Sequence, residues 1–242
     1  MITRAQWFAG PLGQYLLSQE QQHFDRQIND IFGFNACQFG MTEFDLLRAS
    51  RIPYRFNLAP EAPAKVLAEF HYIPLENQSI DLVVLPHVLE FSRHAHQILR
   101  EVERVLLPEG QVLISSFNPM SLMGLRRIFG DRRDYPWHGE FISLTRIKDW
   151  LALLGFEIVG GRMCCYAPPF GREKWLRYFR FMEAAGDRWW ALGGGAFLLQ
   201  AKKRVHGMRI ITPNWKDALP EKSMAPVTQK PVAQKDQCEL SQ

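Results

Sequence analysis

Residues 72–119 read YIPLENQSIDLVVLPHVLEFSRHAHQILREVERVLLPEGQVLISSFNP. The apolar run IDLVVL, residues 80–85, leads into Pro86-His87. The spacing then predicts a helix from Ser92 to about Leu107, firmest over 93–106. Ile98, Val102, Val105 and Leu106 form its apolar stripe, and Arg100, Glu101, Glu103 and Arg104 its outer face. A tight turn at Pro108-Glu109-Gly110 follows, then a second apolar strand, 111–117. Both strands are apolar enough to be buried on both faces, as a parallel sheet requires. Ligands of such sheets bind beyond the carboxyl ends of the strands. Here those ends are Pro86-His87 and Asn118-Pro119.

The alternation continues in both directions. Residues 12–32 read as an amphipathic helix through Leu12, Leu16, Leu17, Phe24, Ile28, Ile31 and Phe32, stopped by Gly33. A strand is expected over 35–39, with Gly40 as its turn. Thr42 is expected to cap a helix holding Phe44, Leu46 and Leu47. A second strand is expected over 53–57, a proline-punctuated loop or short helix over 59–67, and a weak third strand over 68–72. Beyond Asn118, residues 119–142 read as an irregular segment carrying Tyr135, Trp137 and His138. A helix over 144–154, stopped by Gly155, and a strand over 156–163 come next. A Trp- and Arg-rich insertion over 164–195 and a last strand over 196–202 complete the pattern. Strand and helix alternation of this kind predicts an α/β fold with a doubly wound sheet.

A chain of 242 residues holds one sizeable domain with decorations. The expected organisation is an N-terminal helical extension over 1–32, a main domain over 33–205 and a disordered tail over 206–242. The tail expectation rests on four prolines and few apolar residues from Pro213 onward. No apolar run reaches the roughly 20 residues of a membrane-spanning helix. The N-terminus has no uninterrupted apolar core of a signal peptide, so a cytoplasmic location is expected.

The net charge is +4, and residues 213–242 are neutral. The excess lies at Arg126, Arg127, Arg132 and Arg133, in Arg172 to Arg180, and in Lys202-Lys203-Arg204. A solvated rim explains these runs, and nucleic acid or an anionic membrane surface is the sharper alternative. Trp175, Trp189 and Trp190 among the arginines have the same two readings. The four cysteines form no CxxC pair and no metal-type cluster with the histidines. Cys37 is expected to be a small buried hydrophobe. Vicinal Cys164-Cys165 has a redox reading beside a structural one.

The middle block resembles the class I S-adenosylmethionine-dependent methyltransferases. Ile73-Pro74-Leu75 and Ser79-Ile80-Asp81-Leu82-Val83 are similar to that family's approach to its fourth strand. His87-Val88-Leu89-Glu90 is similar to the segment after it, and Arg104-Val105-Leu106-Leu107-Pro108-Glu109-Gly110 to the turn before the fifth strand. GFEIV and GGGAFLLQAKKR resemble its last two strands. The chain also looks like the YafS-type bacterial proteins. The resemblance covers about residues 30–205. It implies a Rossmann-like seven-stranded sheet with an antiparallel last strand, and S-adenosylmethionine as cofactor.

The departures lie in the cofactor loop. The family's first strand ends in an acid followed by a glycine-rich loop whose amides meet the methionine carboxylate. This chain has Gln38-Phe39-Gly40-Met41-Thr42, with one glycine and no acid. Where the family has an acid for the ribose hydroxyls stands Asn57, with one acceptor oxygen. Glu69 corresponds to the acid near the adenine. The resemblance thus assigns Gln38, Phe39, Gly40, Asn57, Glu69, Pro86 and His87 to the cofactor.

Methyl transfer needs orientation and desolvation more than a fixed catalytic set. His87, Glu90 and Asn118 are the catalytic candidates by position, His87 as base or substrate contact. Their structural alternatives are a packed turn histidine and a turn-forming Asn before Pro119. Tyr135, Trp137 and His138 are candidates for a lid. The expected function is methyl transfer to a small-molecule or lipid-like acceptor. Two alternatives stay open. One is a methyltransferase-like binding module without turnover, suggested by the sparse loop. The other is a nucleic-acid methyltransferase, suggested by the basic runs, although Asn118-Pro119-Met120 does not match the family's base-methylating motif.

Overall fold

The computed structural model describes residues 2–169 and 193–205, with positions 174, 178, 179 and 183 singly. The expected tail, the tryptophans at 175, 189 and 190, and most of the 164–195 insertion lie outside the described residues. The described residues form seven strands: β1 (Asn35–Phe39), β2 (Tyr54–Ala59), β3 (Val66–Leu67), β4 (Ile80–Pro86), β5 (Leu106–Phe117), β6 (Phe156–Cys164) and β7 (Ala196–Lys203). They form one sheet in the order β3-β2-β1-β4-β5-β7-β6. The first five run parallel. β7 inserts antiparallel between β5 and β6. This is the doubly wound, Rossmann-like sheet that the sequence implied.

Strand alternation divides the core into two layers. Val83 and Leu85 of β4 face one layer with Phe56 and Leu58 of β2. Helices α3 (Ala95–Val105) and α5 (Leu144–Leu153) cover it with Ile98, Leu99, Val102, Ile147 and Leu151. Leu82 and Val84 face the other layer with Ala36 and Leu113. Helices α1 (Arg4–Ala9) and α2 (Pro11–Ile28) contribute Trp7, Phe8, Leu16, Phe24 and Ile28 there. Cys37 is fully buried in the first layer, as expected. Among the described residues no helix is long and apolar enough to cross a membrane.

Several elements differ from their expected form. The helix expected over 12–32 is α2, which begins at Pro11 and ends at Ile28, short of Phe32; a separate helix not expected from the sequence, α1, precedes it across Gly10. No helix follows Thr42, and residues 41–50 run in turns. The third strand lies at 66–67 instead of 68–72. β2 continues to Ala59, so Asn57 lies inside the strand and not at its end. The expected turn at 108–110 is part of β5, which begins at Leu106; Glu109 absorbs the irregularity at φ 66°. The irregular 119–142 segment contains α4 (Leu122–Phe129), whose first turn Ser121 caps by accepting from Gly124 N at 3.2 Å.

Arg104 is more than an outward charge on α3. Its guanidinium donates to the carbonyls of Ile73 at 2.8 Å and Leu75 at 2.9 Å, and to Glu101 at 2.7 Å. Glu101 in turn accepts from Ile73 N at 3.1 Å. The helix thereby pins the segment that leads into β4, which sets the height of Pro86-His87 at the far end.

Candidate functional site

The carboxyl ends of β1 and β4 open into a cleft of about 630 Å³. That lies within the roughly 300–1,000 Å³ range of small-molecule sites. Gly40 and Met41 form its floor beside Pro86 and His87. Glu69 and Phe70 line it, as do Arg4, Tyr135 and His138. Gly40 has φ +67° and Met41 φ 44°, so the chain turns here through the left-handed region. A Cβ on Gly40 would lie 3.3 Å from the Phe70 ring. A side chain at 40 would therefore carry both strain and crowding.

The loop is held from beneath by Gln38. Its amide nitrogen lies 3.1 Å from Gly40 O, 3.0 Å from Met41 O and 2.8 Å from Phe44 O. Its amide oxygen accepts from Leu46 N at 3.0 Å. Gln38 is thus spent inside the protein and shapes the loop; it does not present its amide to the cleft. Phe39 is fully buried and stacks at 5.9 Å on Phe70, so Phe70 is the ring that reaches the cleft. Asn57 faces a separate recess with Gln38, Arg55 and Lys65, and its oxygen accepts from Lys65 N at 2.8 Å. The structure therefore brings Gly40, Glu69, Pro86 and His87 together and leaves Asn57 apart.

His87 shows its backbone to the cleft and its ring to the interior. Nδ1 lies 2.7 Å from Glu90 Oε1 and Nε2 lies 2.8 Å from Glu20 Oε1, with all three side chains fully buried. Burial pushes the imidazole pKa down. The charge and hydrogen bond of Glu20, and then those of Glu90, outweigh it and hold the pKa up at about 10. Glu90 also accepts from Ser116 Oγ at 2.9 Å and Phe117 N at 3.2 Å. Asn118 donates to Gly194 O at 2.9 Å and accepts from Met120 N at 3.0 Å, which closes the turn after β5. The three catalytic candidates sit at the expected strand ends with their side chains engaged elsewhere: His87 ties β4 to α2, Glu90 ties His87 to β5, and Asn118 forms a turn.

Tyr135 and His138 line the cleft, while Trp137 turns into the core with Arg126 over its ring at 4.7 Å. The Tyr135 hydroxyl is buried without a hydrogen-bond partner among the described residues. Burial raises its pKa well above the ordinary phenol value, with Glu90 adding to the effect. Glu20 was not singled out from the sequence. Its signal was an acid between Leu16 and Phe24 on the apolar stripe of α2. Cys164 and Cys165 are buried free thiols, and burial pushes both pKa values up, away from thiolate chemistry.

Comparison with known proteins shows what this arrangement is similar to. A methyltransferase domain profile matches residues 43–114. The protein YafS of Escherichia coli strain K12 is 30% identical over 156 residues, which are 63% of this chain and 65% of that one. A malonyl-[acyl-carrier protein] O-methyltransferase of Methylovorus sp. strain MP688 is 29% identical over 148 residues, 60% of this chain and 50% of that one. The chain thus spans between half and two thirds of the length of these two relatives. Among solved structures, a Thermotoga maritima methyltransferase described as a possible histamine N-methyltransferase superposes with TM-score 0.61 at 13% identity, covering 83% of this chain and 94% of that one. That likeness concerns the fold alone. Over residues 43–114 the chain is thus similar to the methyltransferase family, and it shares the fold of S-adenosylmethionine-dependent methyltransferases of known structure.

The cleft suits the cofactor of that family. Left-handed backbone at Gly40 and Met41 permits close approach, Glu69 supplies an acceptor, and the orphaned Tyr135 hydroxyl supplies a polar contact within the same space.

Proposed function

We propose that the protein transfers a methyl group from S-adenosylmethionine to a small-molecule or lipid-like acceptor bound against Phe91, Tyr135 and His138. The observation that carries this reading is the continuity of the cleft. One space joins Gly40, Glu69 and Phe70 to the wall formed by Tyr135 and His138. Bound there, the cofactor supplies an activated methyl carbon. The chain supplies position and exclusion of water. Its buried groups offer no free base: the His87 pKa is near 10 with both nitrogens taken, and the Tyr135 phenol is held protonated. An acceptor atom that is already nucleophilic, such as an ionised oxygen, fits a site whose buried groups supply no base. That several matched relatives are named O-methyltransferases supports this reading.

Calorimetry with S-adenosylmethionine and S-adenosylhomocysteine tests it, on wild type and on Gly40→Val. Micromolar binding is expected, weakened at least about tenfold by Val at a left-handed position. Labelled methyl transfer to a fraction of cell extract should follow. Absence of binding at millimolar ligand by folded wild type, with unchanged melting temperature, would leave the binding-module alternative.

A further inference from the structure

We propose that Arg4 is the anchor for the cofactor's carboxylate, and that it exchanges its present partner, Glu43, for that carboxylate. The inference rests on the methyltransferase reading above.

The β1–β2 connection offers little to an anion. An anion site at a helix N-terminus needs a helix there. Residues 41–50 form none, and the carbonyls of Gly40, Met41 and Phe44 converge on Gln38. A carboxylate at this end of the cleft needs another partner.

Arg4 is placed to be that partner. It lines the cleft together with Met41 and Tyr135. The backbone that presents it is fixed: Ile2 N donates to Asp134 at 2.6 Å, and Tyr135 N donates to Ile2 O at 3.2 Å. A capping box between Thr3 and Gln6 closes the first turn of α1. The guanidinium already grips a carboxylate. Its Nη2 straddles both oxygens of Glu43, at 2.9 and 3.2 Å. Its Nε and Nη1 have no hydrogen-bond partner among the described residues, so most of its five N–H donors remain for a ligand.

Chemistry sets the direction in which the cofactor lies. Glu69 and Phe70 suit the adenine, with its exocyclic amine and flat face. Arg4 suits the single carboxylate. Exchange of partners is cheap, because the Arg4 and Glu43 side chains are 42% and 38% exposed. Such an exposed pair contributes little to stability. A ligand carboxylate can displace Glu43 without breaking a buried interaction.

Calorimetry with two ligands tests the assignment. S-adenosylhomocysteine carries the carboxylate, and 5′-methylthioadenosine lacks the amino-acid end. Arg4→Gln is expected to weaken S-adenosylhomocysteine by about 10- to 100-fold, the loss of one charged hydrogen-bonded contact. Methylthioadenosine should bind wild type and variant within about twofold. Glu43→Gln removes the internal competitor and should tighten S-adenosylhomocysteine alone. Arg93→Gln serves as control, since Arg93 also lines the cleft. An Arg4→Gln protein of unchanged melting temperature that binds S-adenosylhomocysteine like wild type overturns the anchor. So does a loss that falls equally on both ligands, or on Arg93→Gln instead. Failure of wild type to bind either ligand overturns the methyltransferase reading and the anchor with it.

Discussion

His87 decides how the two sides of the site are joined. It sits at φ 51°, an unusual conformation for a side chain of its size, at the carboxyl end of β4. That turn sends the imidazole inward between Glu20 and Glu90. Burying an imidazolium is costly alone, and two carboxyl groups offset the cost. Because the folded-state pKa is raised from 6.5 to about 10, the stabilisation is fully present below pH 6.5 and is lost as pH rises towards 10. From pH 7 to about 8.5, wild-type stability should fall by about 1 kcal/mol per pH unit, the order expected for one linked proton. His87→Gln should remove that slope and cost about 3–5 kcal/mol at pH 7, because it leaves two buried carboxyl groups without their cation. Chemical denaturation across this range reads both. A variant with the wild-type slope would exclude His87 as the titrating group.

The β1–β2 connection shows how a single side chain overrides an element. Thr42 followed by Phe44, Leu46 and Leu47 has the cap and spacing of a helix. The carbonyls that would begin that helix are drawn instead to Gln38, eight residues before the Leu46 amide that completes the set. The family's acid at this position would be incompatible with such a loop, since a carboxylate only accepts and would face three carbonyls. Gln38→Glu, which restores the family's residue, should therefore destabilise by about 3 kcal/mol or more and weaken cofactor binding. Equal stability, or tighter S-adenosylhomocysteine binding, would contradict this account of the loop. The same comparison explains what was legible. β4 and the apolar half of β5 were legible because a parallel strand buried on both faces leaves a continuous apolar run, whereas the two-residue β3 lay outside its expected range. α4 was missed although Ser121 and Gly130 frame it, because Pro119 and the arginines outweighed its apolar spacing. Pro86-His87 was legible from the end of its strand, whereas the resemblance supplied Gly40 and Glu69. Glu20 was not legible, because its partner lies 67 residues away and only folding brings the two together.

At the scale of the molecule, α1 and α2 are a cover over the second face of the sheet, fastened at a polar point. Their apolar side chains pack on Ala36, Leu82, Val84 and Leu113, and Glu20 fastens α2 to β4. Cys164 and Cys165 lie in this layer, whereas Cys37 lies in the layer beneath α3 and α5. The thiols thus report on opposite faces. All three are fully buried, and burial raises their pKa values, so alkylation requires opening. In a Cys238→Ser protein under native conditions, Cys164 and Cys165 should be alkylated faster than Cys37, because lifting the helical cover exposes them without unpairing β1. His87→Gln releases the fastening and should accelerate labelling of Cys164 and Cys165 more than that of Cys37. Mass spectrometry of alkylated peptides over time distinguishes the sites. Identical rates at all three, changed in parallel by the substitution, would mean that cover and sheet open as one unit, and that the buried imidazolium stabilises the whole fold and not the cover alone.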